Sequence, residues 1–364
     1  MFDEKKILSP PPMQVIQLTP PGRGAVATLR VEGPGAIDAV RSRFHARNGR
    51  PWTADSIDRL VVGHFGGEEI VVRRSGDNAV ELHCHGGHAA AAMIVESLVD
   101  AGCRPTTWQE WISGRHDDPI AAAAFKALAE ARTERTAAIL LDQYHGALHR
   151  AIDDIEHALD RGETQPARRQ TETLLARLAL GQHLTHPWSV VLAGRPNVGK
   201  SRLINTLAGY QRAIVHHAPG TTRDAVTVAT AIDGWPVELC DTAGLRADGD
   251  VIERAGMERA KKRLGRADLV LLIADAGEPW SAEDQSLVDS WPEAVLVHNK
   301  CDLPPARGQR PAGLSISALR GDGIESLLEA IAQRLVPDPP PPGAAVPFTP
   351  EQTATVRRLS ISGT

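Results

Sequence analysis

The spacing of hydrophobic and polar residues changes twice along the chain and divides it into three regions. In the first, residues 13–105, short apolar runs alternate with turns. Four of these runs have the composition of β-strands: residues 14–18, 25–31, 70–72 and 79–83. Two stretches between them have helical spacing, residues 35–44 and 87–101. The first region is therefore predicted to be an α+β module.

The second and third regions have different patterns. Residues 117–186 are rich in Ala, Leu, Glu and Arg, which predicts two or more long helices packed together. Residues 188–336 alternate apolar strands with helices, as in a doubly wound α/β domain. Within that domain, Asp233 and Gly234 lie between two apolar runs and predict a hairpin that adds one antiparallel strand to a parallel sheet.

A proline-rich segment, residues 337–344, follows the third region and is predicted to be a stiff, extended linker. Residues 345–364 come after it and begin with a helix-start signal at Thr349. They are too few to form a domain of their own, so they either pack back on the helical region or stay loose. The fold class is a multidomain α/β protein.

Residues 194–201 read G-x-x-x-x-G-K-S directly after an apolar run, which is the pattern of a phosphate-binding P-loop. Backbone N–H groups of such a loop converge with a helix N-terminus on a triphosphate. We expect Lys200 to neutralise the β and γ phosphates and Ser201 to ligate Mg²⁺. The other predicted contacts of the loop with the nucleotide are Gly194, Asn197, Val198 and Gly199.

Two polar segments supply further phosphate and Mg²⁺ contacts. Residues 219–224 have the composition of a switch loop, and Thr221 and Thr222 are candidates there, with Thr222 as a Mg²⁺ ligand. Asp241 ends a second apolar strand, from which its carboxylate reaches Mg²⁺ through water. The amide of Gly244 would sense the γ-phosphate.

Two more elements indicate which base is bound. Asn299, Lys300 and Asp302 close a third apolar strand, and the Asp302 carboxylate suits the two N–H donors that guanine presents and adenine lacks. Ser317 and Ala318 follow a fourth strand, where a backbone N–H would reach guanine O6. Five elements in this order argue for GTP over ATP and against an unrelated α/β domain with a chance P-loop.

Composition excludes several classes of protein. The 364 residues are 42% hydrophobic and 23% charged, as in ordinary globular proteins. The net charge of -5 gives no general attraction to nucleic acid, so DNA is not an expected partner and any RNA contact needs a local patch or a partner protein. No signal peptide or membrane-spanning run is present, which predicts a cytoplasmic protein, and the four cysteines form no C-x-x-C pair.

Together these segments resemble the TrmE/MnmE family of tRNA-modification GTPases. Outside the GTPase motifs, residues 20–34 resemble the N-terminal signature of that family, and residues 81–87 resemble its E-x-x-x-H-G-G segment. Within the third region, residues 220–224, 241–246 and 252–259 match the family nearly letter for letter. The resemblance implies an inserted, Ras-like P-loop GTPase domain inside a helical domain, which agrees with helices before residue 188 and after residue 350.

The resemblance also implies a homodimer formed by the N-terminal module and a site there for a formyl-tetrahydrofolate. Six residues match the folate site: Arg23, Arg30, Glu81, His85, Gly86 and Gly87. The alternative is that Gly22, Gly24, Gly86 and Gly87 make tight turns and that His85 is a loop histidine. A zinc site around His83 is disfavoured because adjacent strand residues point to opposite faces.

The catalytic mechanism departs from that of Ras-like proteins at one position. Leu245 stands where Ras-like proteins have a glutamine that orients the attacking water, and a leucine cannot form that hydrogen bond. Glu253 matches the catalytic glutamate of the family; the alternative is a surface glutamate that begins a helix. Asn197 matches the family asparagine that ligates K⁺, so the resemblance implies K⁺-stimulated hydrolysis between two facing GTPase domains.

The resemblance implies work with a flavin-dependent partner protein to modify the wobble uridine of tRNA. The family normally ends in a Cys-x-Gly-Lys tail, whereas this sequence has no cysteine after Cys301. Either the C-terminal half has been lost or the gene model is cut short. The alternative function is a GTP-controlled dimerisation switch that no longer modifies tRNA. A folate-binding protein with a degenerate GTPase domain is disfavoured because all five nucleotide elements are intact.

Overall fold

The computed structural model describes residues 12–20, 22, 24–210, 227–241 and 264–362. The chain divides into two compact units, Met1–Asp117 and Asp118–Thr364. Each unit has its own hydrophobic core. The multidomain α/β fold class predicted from the sequence is confirmed.

The first unit is a seven-stranded sheet with short helices. Its strands are β1 Gln14–Gln17, β2 Val26–Glu32, β3 Phe44–Ala46, β4 Leu60–Phe65, β5 Glu68–Gly76, β6 Ala79–His85 and β7 Arg104–Thr106. Their order in the sheet is β3-β4-β5-β6-β2-β1-β7, antiparallel except for the parallel pair β1–β7. The helices are α1 Ala36–Arg41, α2 His88–Val99 and α3 Trp108–Ser113.

Buried and partly exposed side chains alternate along β2, so the two faces of this sheet differ. Ala27, Leu29 and Val31 are buried in the core of the unit, whereas Arg30 and Glu32 between them lie on the other face. One apolar and one polar face is the pattern of an antiparallel sheet that packs on helices from one side. The four predicted strands are confirmed, but β3, β4 and β7 were not predicted. The helix predicted to reach residue 44 ends at Arg41, because Phe44 already pairs with Phe65 in β4.

The second unit begins with helices that are shorter than predicted. They are α4 Pro119–Leu128, α5 Glu134–Tyr144, α6 Ala147–Asp160, α7 Thr164–Ala176 and α8 Leu178–Gln182. Asp118 and Thr133 cap the N-termini of α4 and α5 through their side chains. Gly146 separates α5 from α6. Its φ of 86° is a left-handed backbone conformation that other residues rarely adopt. Several short helices therefore replace the predicted long ones.

A six-stranded sheet follows these helices. Its strands are β8 Trp188–Ala193, β9 Thr227–Ile232, β10 Trp235–Asp241, β11 Leu269–Asp275, β12 Val295–Asn299 and β13 Leu314–Ser315, in the order β13-β12-β11-β8-β10-β9. The helices of this part are α9 Lys200–Tyr210, α10 Ala282–Ser290 and α11 Ile324–Leu335. All neighbouring strands are parallel except β9 and β10, which pair antiparallel. The predicted hairpin is confirmed, and Asp233 and Gly234 have the positive φ values, 50° and 76°, of a type I′ turn.

The chain returns from the sheet to the helices along α5. The proline-rich segment is not a free spacer, because Asp142 accepts a hydrogen bond from the Gly343 amide at 2.7 Å. The buried Gln143 side chain donates to the Ala344 carbonyl and accepts from the Val346 amide, at 3.0 and 3.1 Å. The last helix is α12 Pro350–Ser362.

The residues after the proline-rich segment pack back on the helical region. Val356 and Leu359 of α12 are buried in one cluster with side chains of α6 and α7, such as Leu148 and Leu174. The backbone of α8 also touches this returning segment so closely that a Cβ on Gly181 would collide with the Pro347 carbonyl. The end of α8 therefore lies against the start of the segment that leads into α12.

A continuous core joins the helices to the six-stranded sheet in the second unit. Leu140 of α5 is fully buried in the same cluster as Val190 of β8 and Leu239 of β10. Within the described ranges, no helix combines the length and the apolar character that crossing a membrane requires.

Candidate functional site

The carboxyl ends of parallel strands bring the predicted nucleotide elements to one edge of the six-stranded sheet. β8 runs into Gly194, β10 ends at Asp241 and β12 ends at Asn299. These strands are parallel, so their carboxyl ends lie on the same edge. Ligands bind at this edge in open α/β sheets.

The P-loop has the backbone that a phosphate cradle needs. Gly194 and Gly199 have φ values of 149° and 98°, and Asn197 has a φ of 63°, the left-handed region that asparagine tolerates. A Cβ on Gly194 would collide with the Ile273 carbonyl, and one on Gly199 would collide with the Asn299 side-chain amide. Neither position accepts a larger residue, so the loop fits closely between β11 and β12.

Lys200 is the first residue of α9 and is only 5% exposed. Its Nζ donates hydrogen bonds to the carbonyl oxygens of Gly194 and Arg195, at 2.9 and 2.8 Å. The ammonium group is therefore held inside the curve of the loop. This is where the oxygens of a bound phosphate would lie, in line with the N-terminus of α9.

The two predicted Mg²⁺ ligands at this edge contact each other. Ser201 Oγ donates to Asp241 Oδ2 at 2.6 Å, and Asp241 is 4% exposed. The parallel pairing of β10 with β8 places Asp241 opposite Leu192, two residues before the P-loop. A hydroxyl and a carboxylate are the oxygen ligands that Mg²⁺ prefers, so this pair fits the ion.

Asn299 ties the P-loop to the loop after β13. Its side chain is buried, donates from Nδ2 to the Val198 carbonyl at 2.8 Å, and accepts from the Ala318 amide at 3.0 Å. Three of the predicted segments are thus brought together by one side-chain amide. A change at Asn299 would disturb both the phosphate and the base side of the site.

Asp302 is held as an ionised acceptor. Ser317 Oγ donates to Asp302 Oδ1 at 2.6 Å, and this hydrogen bond is the main reason that the pKa of Asp302 lies below its ordinary value. Nearby, Lys300 has a φ of 67°, and its Nζ lies 2.6 Å from Oδ2 of the buried Asp275. The backbone of the Asn299–Asp302 turn is therefore fixed at both ends.

Two carboxylates that hold Arg195 of the P-loop, Asp284 and Glu278, were not predicted from the sequence. Arg195 Nε lies 3.0 Å from Asp284 Oδ1, and its Nη2 lies 2.9 Å from Glu278 Oε2. Asp284 is buried and also forms a capping box with Ser281 at the start of α10. Arg195 occupies a free position of the P-loop pattern, so no sequence signal could have found this contact.

Several predicted residues lie outside the described residues. They are Arg23, Thr221, Thr222, Gly244, Leu245 and Glu253. The described part of the site therefore comprises the P-loop, Asp241 and the two base-binding segments.

The residues that resemble a folate site lie in the first unit. Arg30 of β2 contacts Glu81 of β6 at 3.0 Å, and Arg73 of β5 contacts the other carboxylate oxygen at 2.6 Å. Glu81 is 9% exposed, although it lies on the face of the sheet that carries the polar side chains. His85 is further along β6, where its Nδ1 lies 2.5 Å from Glu68 Oε1.

One of the neighbouring glycines, Gly86, has a structural reason to be glycine. A Cβ on Gly86 would collide with the backbone of Gly24, and the Gly86 amide donates to the Ala25 carbonyl at 3.1 Å. Gly87 directly precedes α2. The turn interpretation therefore accounts for Gly86 without a ligand.

Sequence reasoning also missed a cluster beside Arg30. Trp111 Nε1 and Arg115 Nη1 donate to the two carboxylate oxygens of Glu32, at 2.5 and 3.1 Å. Arg30 and Arg115 lie over the Trp111 ring, at 5.4 and 4.8 Å from its centroid. Burial alone would raise the pKa of Glu32, but hydrogen bonds from Arg30 and Trp111 and the two positive charges lower it below the ordinary value.

Comparison with known proteins gives two family matches. Residues 15–115 match the family described as GTP-binding protein TrmE N-terminus, and residues 189–300 match the family described as 50S ribosome-binding GTPase. The tRNA modification GTPase MnmE of Synechococcus sp. (strain CC9605) is 32% identical over 360 residues, which cover 86% of this chain and 79% of that protein.

The MnmE protein of Thermus thermophilus is 32% identical over 359 residues, covering 87% of this chain and 81% of its own length. Among solved structures, Era of Aquifex aeolicus bound to GDP and AlF4⁻ is 29% identical, with a TM-score of 0.32. That match covers 40% of this chain and 56% of the other.

Proposed function

The chain belongs to the TrmE/MnmE family of tRNA-modification GTPases, and we propose that its nucleotide cycle runs at the edge of the six-stranded sheet described above. It binds and hydrolyses GTP and takes part in tRNA modification. The observation that carries the assignment of the site is the Ser201–Asp241 contact, with Asn299 joining the loops beside it.

Each residue of the phosphate side has a defined task. Lys200 would exchange its two loop carbonyls for oxygens of the β and γ phosphates. Ser201 would ligate Mg²⁺ directly, Asp241 would hold a water of that ion, and Thr222 would complete the set from the switch loop. The ion neutralises charge on the phosphates when bound. The amides of Gly194, Asn197, Val198 and Gly199 would donate to phosphate oxygens.

Guanine specificity rests on Asp302. Ser317 keeps this carboxylate ionised and oriented, so it can accept both N–H donors of guanine. The amides of Ser317 and Ala318 already donate to the Asp322 carbonyl and the Asn299 side chain, so we propose that the Leu319 N–H of this loop donates to guanine O6. Replacing Asp302 by Asn should lower GTP affinity and raise affinity for xanthosine triphosphate, which a nucleotide competition assay measures.

For hydrolysis, we propose that Glu253 positions the attacking water and that Asn197 ligates K⁺ when two GTPase domains meet. The exposed Asn197 side chain on a left-handed backbone supports the second assignment, because the loop presents it to solvent beside the phosphate site. GTP turnover should be faster in K⁺ than in Na⁺. Equal rates in the two salts, or an Asn197→Ala variant that still responds to K⁺, would refute the cation site.

The role of Glu253 is tested separately. A Glu253→Ala variant should keep its affinity for GTP and lose at least about a hundredfold in turnover, since a general base or water-positioning group contributes that much. Glu258→Ala, in the same segment of the sequence, is the matched control. Equal losses in the two variants would remove Glu253 from the catalytic machinery.

The first unit is the proposed site of contact with a second copy of the chain and with a folate. We propose that it forms the homodimer and that Arg23, Arg30, Glu81, His85, Gly86 and Gly87 include the contacts of a formyl-tetrahydrofolate. The nearly buried Glu81 between Arg30 and Arg73 supports this, because it is a polar cluster on the face of the sheet opposite the core. A flavin-dependent partner protein would complete the modification of the wobble uridine.

The biological role is tested by the nucleosides of total tRNA. Deleting the gene should remove an aminomethyl-type modified wobble uridine, as read by mass spectrometry of digested tRNA, and the wild-type gene should restore it. An Asp302→Asn gene should fail to restore it. An unchanged profile after deletion would instead favour a GTP-controlled dimerisation switch.

A further inference from the structure

A basic groove lies in the first unit at the β3 edge of its sheet, which is the opposite edge from β7. The connection between β3 and β4, residues 47–59, folds beside β4 and encloses a volume of about 870 Å³. Arg47, Arg50 and Arg59 line it, and we call this feature the arginine groove. All three arginines are exposed, so their guanidinium groups are available to a ligand.

The charge of the arginine groove is only weakly compensated. Arg47 lies 3.6 Å from Glu69, but both side chains are at least half exposed, and such pairs contribute little. Arg50 and Arg59 form no ion pair with any residue of the described ranges. The neighbouring carboxylate Asp58 contacts Arg73 at 3.1 Å instead. Asp55 is the acidic side chain among the lining residues.

Protection of a free sheet edge does not explain these arginines. β3 is the edge strand of the seven-stranded sheet, and charged residues on an edge strand discourage pairing with another chain. However, β3 comprises residues 44–46, and all three arginines lie after it, in the connection to β4. Arginine binds phosphate in a bidentate fashion, so an exposed cluster of guanidinium groups fits a phosphodiester backbone.

Apolar side chains that line the groove suit the rest of a nucleic acid. Leu60 and Val62 of β4 line the groove and are 63% and 42% exposed. Apolar side chains of this kind pack against ribose and base edges. Because the chain has a net charge of -5, a nucleic acid would find its favourable contacts at a local basic surface rather than over the whole protein.

We propose that the arginine groove binds the sugar-phosphate backbone of the tRNA substrate. The inference rests on the tRNA role in the proposed function and adds to it a surface separate from the GTP site. The contacts are to phosphates, so they position the tRNA without selecting its sequence.

The test measures tRNA binding to the full chain by filter binding between 50 and 200 mM salt. The triple variant Arg47→Gln, Arg50→Gln, Arg59→Gln should bind about tenfold more weakly, and the slope of log K against log salt should decrease by about two, since each phosphate contact contributes roughly 0.7 to 0.9. The control replaces the exposed arginines Arg161, Arg168 and Arg169 by Gln, which changes the net charge equally. GTP turnover without tRNA should be unchanged in both.

Unchanged affinity and slope in the groove variant, or an equal loss in the control, would overturn the inference while leaving the tRNA role intact. If the wild-type chain does not bind tRNA at all, the inference fails, and the tRNA contacts would then belong to a partner protein. A loss of dimerisation without a loss of tRNA binding would assign the groove to a second copy of the chain and also overturn it.

A measurement on the wild type avoids dependence on the folding of the variant. Phenylglyoxal modifies exposed arginines, and peptide mass spectrometry reads the extent at each position. Bound tRNA should protect Arg50 and Arg59 several-fold and leave Arg161 unprotected. Equal modification of Arg50 and Arg59 with and without tRNA would contradict the proposal.

Discussion

Replacing Asn299 by Ala should weaken the GTP site from its centre. The variant loses the hydrogen bonds to the Val198 carbonyl and the Ala318 amide, each of which contributes about 1 kcal/mol. Both partner residues are buried, so leaving those groups unpaired costs about 1 to 3 kcal/mol each. We therefore expect the free energy of unfolding to fall by about 2 to 6 kcal/mol. GTP affinity should fall at least tenfold, which corresponds to about 1.4 kcal/mol.

Urea unfolding without nucleotide measures the free energy of unfolding, and titration with a fluorescent, non-hydrolysable GTP analogue measures the affinity for GTP. Asn205→Ala is the matched control, because Asn205 is exposed on α9 in the same part of the unit. It should change each quantity by less than about 0.5 kcal/mol. If Asn299→Ala behaves like this control in both assays, the side chain does not join the loops as described.

Three further changes have defined outcomes. Gly199→Ala should abolish measurable nucleotide binding by calorimetry, because the new Cβ would collide with Asn299 and the backbone has a φ of 98°. Gln143→Leu should lower the free energy of unfolding by about 2 to 4 kcal/mol and speed amide hydrogen exchange in residues 344–346, since two backbone groups lose their partner; unchanged exchange would contradict this. Trp111→Phe removes one hydrogen bond to Glu32, so carboxyl NMR should show the pKa of Glu32 moving up towards its ordinary value of 4.5.

The pH dependence of the Trp111→Phe variant follows from the sign of that shift. The lowered pKa of folded Glu32 contributes stability that is present above its unfolded pKa and is lost as pH falls through the folded pKa. At pH 7 the free energy of unfolding of the variant should be about 1 to 2 kcal/mol lower than that of the wild type. On acidification it should then decrease by less than it does in the wild type. Parallel curves of unfolding free energy against pH would refute this account of Glu32.

Much of the nucleotide site could be predicted because its motifs follow apolar runs. Asp241 and Asn299 each end a strand, and the carboxyl ends of parallel strands meet at one edge. The hairpin at Asp233 was also predictable, since an Asp-Gly pair adopts the positive φ values of a tight turn.

Contacts between distant segments could not be predicted in this way. Arg195 reaches Asp284, 89 positions later, and nothing in the local sequence marks either residue for the other. Gln143 binds the returning chain more than 200 positions away, for the same reason. Strands β3 and β4 were missed because each depends on pairing with its neighbour more than on its own alternation.

The contact between Gly181 and the Pro347 carbonyl has a consequence for how the second unit is built. The chain leaves the helices for the six-stranded sheet and comes back to them at nearly the same point. The sheet with α9–α11 is therefore an insertion between α8 and α12, and α6, α7 and α12 share a separate cluster of buried side chains. A short glycine-serine bridge from residue 184 to residue 346 would restore the chain path without the sheet, but it would expose Leu140 and Leu180, which are buried in the core shared with the sheet. A helical protein made of α4–α8 with α12 would therefore need polar residues at these two positions.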